Sequence, residues 1–461
     1  MILVNIAYTG FGEINGPLVA VDNVTNVGYG EIAKIIEENG NERFGKVIEL
    51  DGKRAIVQVF EGTFALNPQT SVTAFTGSPM KLGMSPEMLG RIFSGSGRPI
   101  DGLGDISVDV SRDVNGEPIN PVRRAYPRDY IETGISSIDM LTTLIRGQKL
   151  PIFSGNGLPH DKLAVQIANQ AKIAGDDGDF AVVFAAMGVK NDVAQFFKNA
   201  FEESGAINRS VLFLNLSNDP VIERILAPRL ALTAAEYLAF NCDMHVLVIM
   251  TDMTAYAEAL REVSAAKGEI PSRKGFPGYL YSDLASMYER AGMIRDKKGS
   301  VTQIPILTMP NDDITHPIPD LTGYITEGQL VLGKPLFRKG VYPPLDILPS
   351  LSRLMKDGIG EGYTREDHPQ LSAQLFASYA HVQDIRALAS VVGEDELSPL
   401  DRLFLKFGER FENEFLSQRY DESRTMAQTL ELGWKLVSML PRNQLDRISN
   451  EYLDKYYKGD E

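Results

Sequence analysis

The spacing of apolar residues changes along the 461-residue chain and divides it into three parts. Between residues 18 and 75, short β-branched runs are separated by turn signals such as Asp51-Gly52. This pattern predicts a hairpin-rich barrel or sandwich. The one segment of this part that could form a helical turn is 31–38. We expect a β-barrel domain over residues 1–75.

A second pattern predicts an α/β domain. Residues 77–128 are rich in Gly and Pro, which indicates a loop-rich connection with a few strands. From Leu150 onward, short continuous apolar runs alternate with segments of helical spacing, as in strands that are buried on both faces. The predicted strands are 180–186, 211–215 and 245–250, and the predicted helices are 193–203, 233–240 and 256–266. We expect a parallel sheet covered by helices over residues 76–355.

The third part predicts helices alone. After about Lys356, apolar residues recur at helical spacing. The two stripes are Leu403, Phe407, Phe411 and Phe415, then Leu432, Leu436 and Leu440. Phenylalanine at every fourth position could line a ligand site, but it is far more often the core face of a helix. We expect a helical domain over residues 356–461.

Composition narrows the class of protein. A net charge of −15 argues against a chain that binds nucleic acid, because phosphate contacts need a surplus of Lys and Arg. The five histidines are scattered without ligand spacing, so no metal site is predicted. A single cysteine suits a reducing compartment. With no leader signal and no membrane-length apolar run, we expect a cytoplasmic protein that reaches a membrane only through partners.

The first candidate site is a loop with the layout of a phosphate-binding loop. A strand around Leu150 runs into Ser154-Gly-Asn-Gly-Leu-Pro-His-Asp-Lys162 and then into a helix. In a working loop, backbone amides wrap the phosphates, a lysine holds the outer phosphates and a hydroxyl holds Mg²⁺. Here Ser154 and Pro159 stand at glycine positions, Gly155 and Gly157 lie between them, His160 replaces the lysine and Asp161 replaces the hydroxyl.

These replacements predict a vestigial loop with weak or no nucleotide binding. Pro159 has no N–H to donate, and His160 is too short and about neutral at physiological pH. Asp161 adds negative charge beside the phosphates. Gly155 and Gly157 could still shape a pocket. The alternative is an ordinary glycine-rich helix start with Asp161 as its N-cap.

Two further features bear on hydrolysis. Asp252 follows a buried apolar run, at the strand tip where open α/β sheets bind ligands, and could support Mg²⁺ as a Walker B carboxylate. The alternative is that Asp252 or Thr254 caps the next helix. Hydrolysis also needs a group that orients the attacking water, and the segment Met187-Gly-Val-Lys-Asn-Asp192 holds no glutamate.

Eight longer motifs are specific enough to name a family. They are Thr133-Gly-Ile-Ser-Ser-Ile-Asp139, Phe153-Ser-Gly-Asn-Gly-Leu-Pro-His160, Ala231-Leu-Thr-Ala-Ala-Glu-Tyr237, Met250-Thr-Asp-Met-Thr254, Glu258-Ala-Leu-Arg-Glu262, Gly275-Phe-Pro-Gly-Tyr279, Gly299-Ser-Val-Thr-Gln-Ile-Pro305 and Leu348-Pro-Ser-Leu-Ser-Arg-Leu354. On these motifs the chain resembles, over essentially its whole length, the B subunits of V-type and archaeal or bacterial A-type rotary ATPases. The resemblance implies an N-terminal β-barrel, a central RecA-like P-loop domain and a C-terminal helical bundle.

The resemblance also implies partners and a role. Three B subunits would alternate with three catalytic A subunits in a ring around a central shaft, with peripheral stalks outside. ATP or ADP with Mg²⁺ would lie at the A–B interface, where A supplies the intact P-loop and B supplies an arginine, here Arg353. The chain would not hydrolyse ATP alone. The complex would couple ATP hydrolysis or synthesis to H⁺ or Na⁺ transport.

Three other interpretations stay open. A self-sufficient P-loop ATPase motor would need Lys and Ser or Thr where His160 and Asp161 stand. An F-type α subunit is also non-catalytic, but it generally keeps the loop lysine. A pure scaffold subunit would leave Arg353 with only a structural ion pair.

Overall fold

The computed structural model describes residues 7–173 and 179–459. Expectations that fall on residues 1–6, among them the missing leader signal, lie outside the described residues. The chain folds into two compact units, each assembled from several segments. The first consists of Met1–Pro118, Ala181–Cys242 and Val248–Arg290, and the second of Ile119–Phe180, Asp243–Leu247 and Ala291–Glu461.

Strands and helices are numbered in chain order over the described residues. The strands are β1 (Ala7–Thr9), β2 (Glu13–Asn15), β3 (Leu18–Val21), β4 (Glu31–Ile36), β5 (Glu42–Asp51), β6 (Arg54–Val59), β7 (Val72–Pro79), β8 (Lys81–Met84), β9 (Ile92–Ser94), β10 (Val110–Asp113), β11 (Arg124–Ala125), β12 (Tyr130–Glu132), β13 (Leu144–Ile145), β14 (Ile152–Gly155), β15 (Lys172–Ile173), β16 (Phe180–Val189), β17 (Ser210–Leu216), β18 (His245–Thr251), β19 (Gly292–Ile294), β20 (Ser300–Met309), β21 (Gly328–Leu332) and β22 (Leu345–Ser352). The α-helices are α1 (Ser136–Leu141), α2 (His160–Gln170), α3 (Asn191–Glu203), α4 (Val221–Phe240), α5 (Met253–Ala266), α6 (Leu280–Tyr288), α7 (Pro317–Ile325), α8 (Lys334–Arg338), α9 (His368–Val392), α10 (Pro399–Arg410), α11 (Met426–Val437) and α12 (Asn450–Tyr456).

The first unit begins with the predicted β domain. Seven antiparallel strands are arranged in the order β1-β7-β4-β5-β6-β3-β2 around a core of β-branched residues that includes Val19, Val47 and Val57. Gly52 has φ +57° in the tight turn between β5 and β6, a backbone conformation that glycine adopts at no steric cost. The possible helical turn at 31–38 is wrong: Ile32, Ala33 and Ile35 are buried in strand β4, which pairs with both β5 and β7.

The parallel strands of the α/β part are confirmed in both units. In the first unit, β16, β17 and β9 pair in parallel, and β9 comes from the loop-rich connection, where the sequence predicted only a few strands of unspecified place. In the second unit, β14 lies between β20 and β21, parallel to both, and β22 closes this set antiparallel to β21. The α/β fold therefore has mixed strand directions at its margins.

The predicted elements between residues 180 and 266 are all present, with one difference in extent. Helix α4 begins at Val221 rather than at 233, and Pro228 lies inside it. Because an internal proline usually ends or kinks a helix, the pattern concealed the first half of α4.

The C-terminal part is helical, as predicted. Phe407, Phe411 and Phe415 are fully buried, with consecutive ring centroids 5.8 and 5.1 Å apart. The stripe is therefore core, and its last turns form a π-helix, Phe411–Leu416. Over residues 7–173 and 179–459, we find no helix with the length and apolar character that crossing a membrane requires.

Candidate functional site

The glycine-containing loop joins β14 to α2 in the second unit. Because β14 is parallel to its neighbours, the loop leaves the sheet at its carboxyl edge, where such sheets bind ligands. Gly157 adopts φ +79°, and α2 starts at His160 with Pro159 at its N-cap position. The alternative that Asp161 caps this helix is wrong, since Asp161 lies within its first turn.

Two amides of this loop are used within it. The His160 N–H donates to the Leu158 carbonyl at 2.9 Å, and the Leu158 N–H donates to the Gly155 carbonyl at 3.3 Å. The buried Ser154 hydroxyl lies 3.0 Å from His160 Nδ1, so the imidazole is held back against the end of β14. These two amides and the imidazole therefore make contacts within the loop and with the end of β14.

Two residues that the sequence analysis missed lie against the same loop. Asp312 and Lys334 form an ion pair at 2.5 Å, and a Cβ placed on Gly155 would overlap the Asp312 carboxylate. Asp312 follows β20, which pairs in register with β14 so that Met309 lies opposite Gly155. The signal available in the sequence was the polar run Asn311-Asp-Asp313 after a buried strand.

Asp252, the Walker B candidate, belongs to the first unit. It is the N-cap of α5, and its carboxylate accepts a hydrogen bond from the Thr254 N–H at 2.8 Å. The capping alternative is therefore correct for Asp252. A capping carboxylate is stabilised by the helix dipole and is not excluded from other contacts.

The segment where a water-orienting group would lie is also in the first unit. The Gly188 N–H donates to Asn215 Oδ1 at 2.9 Å, and Arg224 Nε donates to the same oxygen at 3.1 Å. A Cβ on Gly188 would lie 2.8 Å from Arg224 Nε, so the guanidinium covers this turn. The turn thus carries an amide and a cation in place of a carboxylate.

Arg353 follows the last residue of β22 and is exposed. Its backbone N–H donates to the Glu327 carbonyl at 2.9 Å, and its Nη1 donates to the Thr326 carbonyl at 2.9 Å. The nearby Glu327 carboxylate is held by Lys149 at 2.6 Å. Among residues 7–173 and 179–459, no carboxylate lies within ion-pair distance of the Arg353 guanidinium.

The strand that carries Arg353 is firmly anchored. Ser352 Oγ donates to the Thr143 carbonyl at 2.9 Å and accepts a hydrogen bond from Gln148 Nε2 at 2.9 Å. Gly328, opposite Ser352 in β21, packs so closely that an added Cβ would overlap the Leu351 carbonyl. The backbone before Arg353 is therefore fixed, while Arg353 itself is exposed.

Comparison with known proteins decides the family. Residues 13–77 match the beta-barrel domain and residues 134–352 the nucleotide-binding domain of the ATP synthase alpha/beta family, and residues 357–457 match the C-terminal domain of V and A type ATP synthase. The V-type ATP synthase beta chain of Halothermothrix orenii is 61% identical over 452 residues, 98% of each chain. The chain belongs to the V/A-type ATP synthase B subunit family.

Two further ATP synthase subunits are similar to this chain over most of its length. The B subunit of the A-type ATP synthase of Nitrosopumilus maritimus is 58% identical over 453 residues, again 98% of each chain. The solved structure of the ATP synthase subunit NeqB of Nanoarcheaum equitans is 42% identical, has a TM-score of 0.74, and covers 92% of this chain and 100% of its own. Family membership means that the chain is one subunit of a multi-subunit ATP synthase, and the match over residues 357–457 favours the V/A type over the F-type alternative.

Proposed function

We propose that the chain is the non-catalytic B subunit in the soluble head of a V/A-type ATPase or ATP synthase. In this proposal it alternates with three catalytic A subunits in a six-membered ring, around a central shaft and beside peripheral stalks. It supplies Arg353 to the ATP and Mg²⁺ bound by the neighbouring A subunit. The complex then couples ATP hydrolysis or synthesis to H⁺ or Na⁺ transport and holds the chain at the membrane surface. We also propose that the β-barrel domain ends at residue 75 and that the nucleotide-fold domain ends at residue 355.

The observation that carries the proposal is the state of Arg353. Its backbone is anchored, the residue is exposed, and one guanidinium nitrogen is oriented by the Thr326 carbonyl. The guanidinium is always charged and presents a planar set of donors that matches phosphate oxygens. In phosphoryl transfer such an arginine stabilises charge that develops on the transferred group.

The glycine-containing loop supports a non-catalytic role. It lacks the ammonium and the hydroxyl that hold a triphosphate with Mg²⁺, and two of its amides donate to its own carbonyls. Asp161 and Asp312 place negative charge at the loop, and Lys334 is engaged by Asp312. Repulsion between these carboxylates and phosphate opposes binding.

The decisive experiment replaces Arg353 in the assembled complex. We expect Arg353→Lys to leave ring assembly with the A subunit unchanged and to lower ATP turnover by on the order of 10³-fold, because lysine cannot present the planar donor pair. Arg447→Lys is the matched control, since Arg447 is also exposed and its side chain lies 3.7 Å from Asp446. Near-normal turnover of the Arg353→Lys ring would leave the chain as a pure scaffold.

A second experiment separates this role from that of an independent motor. We expect the isolated chain to hydrolyse no ATP and to bind Mg-ADP only weakly in a calorimetric titration. A restored-loop variant, Pro159→Gly with His160→Lys and Asp161→Thr, should bind Mg-ADP more tightly. Tight Mg-ATP binding and turnover by the unaltered chain would favour the independent motor.

A further inference from the structure

A cavity of about 450 Å³ lies in the first unit, apart from the residues discussed above. Strands β5 and β6 of the seven-stranded sheet form one wall, and helices α4, α5 and α6 contribute the others. Cavities of this size hold small organic molecules. The polar, charged and apolar side chains of its lining determine which class of molecule it can bind.

Two hydrogen-bond donors face this cavity from neighbouring strands. Lys46 of β5 lies directly opposite Gln58 of β6 in the strand register, so both side chains are on the same face of the sheet. Gln58 is 9% exposed, and within residues 7–173 and 179–459 its Nε2 has no hydrogen-bond partner. A buried amide without a partner is rare in native proteins, and here it points to an acceptor that the described residues do not provide.

Among the described residues that line the cavity, two of the three cations form ion pairs and Lys46 does not. Arg229 is paired with Asp283 at 2.5 Å, and Lys267 lies 3.5 Å from Glu269. Within the described part of the chain, Lys46 forms no ion pair. Burial lowers the pKa of Lys46 and the positive charge of Arg229 lowers it further, whereas the carboxylates of Asp113 and Asp283 act in the opposite direction. The ionised lining therefore carries a net charge of +1.

The rest of the lining limits the ligand further. Phe60, Ile222 and Leu226 give the cavity apolar walls that suit a hydrocarbon body. The carboxylates of Asp283 and Glu269 lie in the same cavity and oppose a ligand with two negative charges. A single negative charge matches the one unpaired ammonium.

We propose that this cavity binds a small organic monoanion, a carboxylate with an apolar body, whose carboxylate oxygens accept hydrogen bonds from the Lys46 ammonium and the Gln58 amide. The ligand site is independent of the role proposed for Arg353. Binding would satisfy the buried amide and neutralise the unpaired ammonium in one step.

Octanoate is the probe for this site, titrated calorimetrically into the full chain. We expect saturable binding that Lys46→Met weakens by about tenfold or more, because a charge-assisted hydrogen bond is lost. Lys53→Met is the matched control: Lys53 is exposed in the turn of the same β5–β6 hairpin and should leave binding unchanged. Gln58→Leu should weaken octanoate binding without lowering the unfolding temperature of the free chain, because Nε2 has no hydrogen-bond partner among the described residues.

Several outcomes would overturn the proposal. Absence of saturable octanoate binding would do so directly. Equal affinity for 1-octanol would show a purely apolar cavity, and tighter binding of the dianion octyl phosphate would contradict the charge argument. Equal weakening by Lys46→Met and Lys53→Met would place the ligand elsewhere on the chain.

Discussion

Removal of the buried imidazole of His368 should change how the C-terminal helices respond to acid. His368 is fully buried at the start of α9; its Nε2 lies 2.9 Å from the Met140 carbonyl and its Nδ1 lies 3.0 Å from the Thr364 hydroxyl. A carbonyl only accepts, so Nε2 carries the proton and Nδ1 accepts from Thr364, whose hydroxyl oxygen accepts the Gly360 N–H at 2.7 Å. The neutral ring is therefore fully satisfied.

The size of the effect follows from the pKa of this histidine. Burial lowers the pKa of His368 from 6.5 to about 4. The unfolded chain then binds a proton that the folded chain does not, so stability is complete above pH 6.5 and is lost as pH falls toward 4. At about 1.4 kcal/mol per pKa unit, the shift corresponds to about 3 kcal/mol, of which about 2 kcal/mol is lost between pH 7 and pH 4.5.

The chain contains its own probe for this measurement. Trp434 is the single tryptophan; it is buried, and its indole N–H donates at 2.5 Å to Asp367, the residue before His368. We expect denaturant unfolding followed by Trp434 fluorescence to show that His368→Gln lowers stability at pH 7 by about 1–2 kcal/mol. The variant should then lose about 2 kcal/mol less than the unaltered chain between pH 7 and pH 4.5.

Comparing the two pH values within each protein removes the contribution of carboxylates that titrate in both. His381→Gln serves as the control, because His381 lies on the same helix but is exposed. An acid-induced loss that is the same in His368→Gln and in the unaltered chain would refute the assignment of a buried neutral imidazole.

Three further predictions test other parts of the fold. Glu236→Ala should lower the free energy of unfolding by about 3–5 kcal/mol, measured by circular dichroism, because it removes the carboxylate that binds the fully buried guanidinium of Arg290 at 2.6 Å. A loss below about 1 kcal/mol would contradict this. Gly328→Ala should displace β22 and lower ATP turnover of the ring while Arg353 itself is unchanged, and full turnover would show that the close strand approach is dispensable. Asp312→Asn, added to the restored-loop variant, should tighten Mg-ADP binding by on the order of tenfold. An unchanged affinity would show that the Asp312 carboxylate does not oppose phosphate binding.

The sequence alone predicted the correct secondary structure where buried residues form a continuous run or recur at a regular spacing. The run at 245–250 is a strand because both of its faces are buried, and the phenylalanine stripe is core because its spacing keeps it on one side of a helix. The prediction failed at Ile32, Ile35 and Ile36. Their spacing fits a helix, but they lie in β4, where hydrogen bonds to the two neighbouring strands determine the structure. No local pattern reports such partners.

The candidate site shows the same division. The loop at 154–161 and Arg353 could be named from sequence because motif and residue type carry the argument. Asp312 and Lys334 could not, since their position beside Gly155 depends on which strands neighbour β14 and on where α8 begins. The orphaned amide of Gln58 was equally hidden, because satisfaction of a polar group is a property of its three-dimensional surroundings.

The short strand β9 also sets an order for folding during synthesis. Every strand of the seven-stranded sheet finds its partners within residues 7–79, so this sheet can form soon after it leaves the ribosome. Ile92, in contrast, pairs with Leu212, which emerges roughly 6–24 seconds later at about 5–20 residues per second. Until then β9 lacks the parallel strand that it joins in the fold, and Phe93, which is buried in the folded chain, cannot yet pack against Phe213.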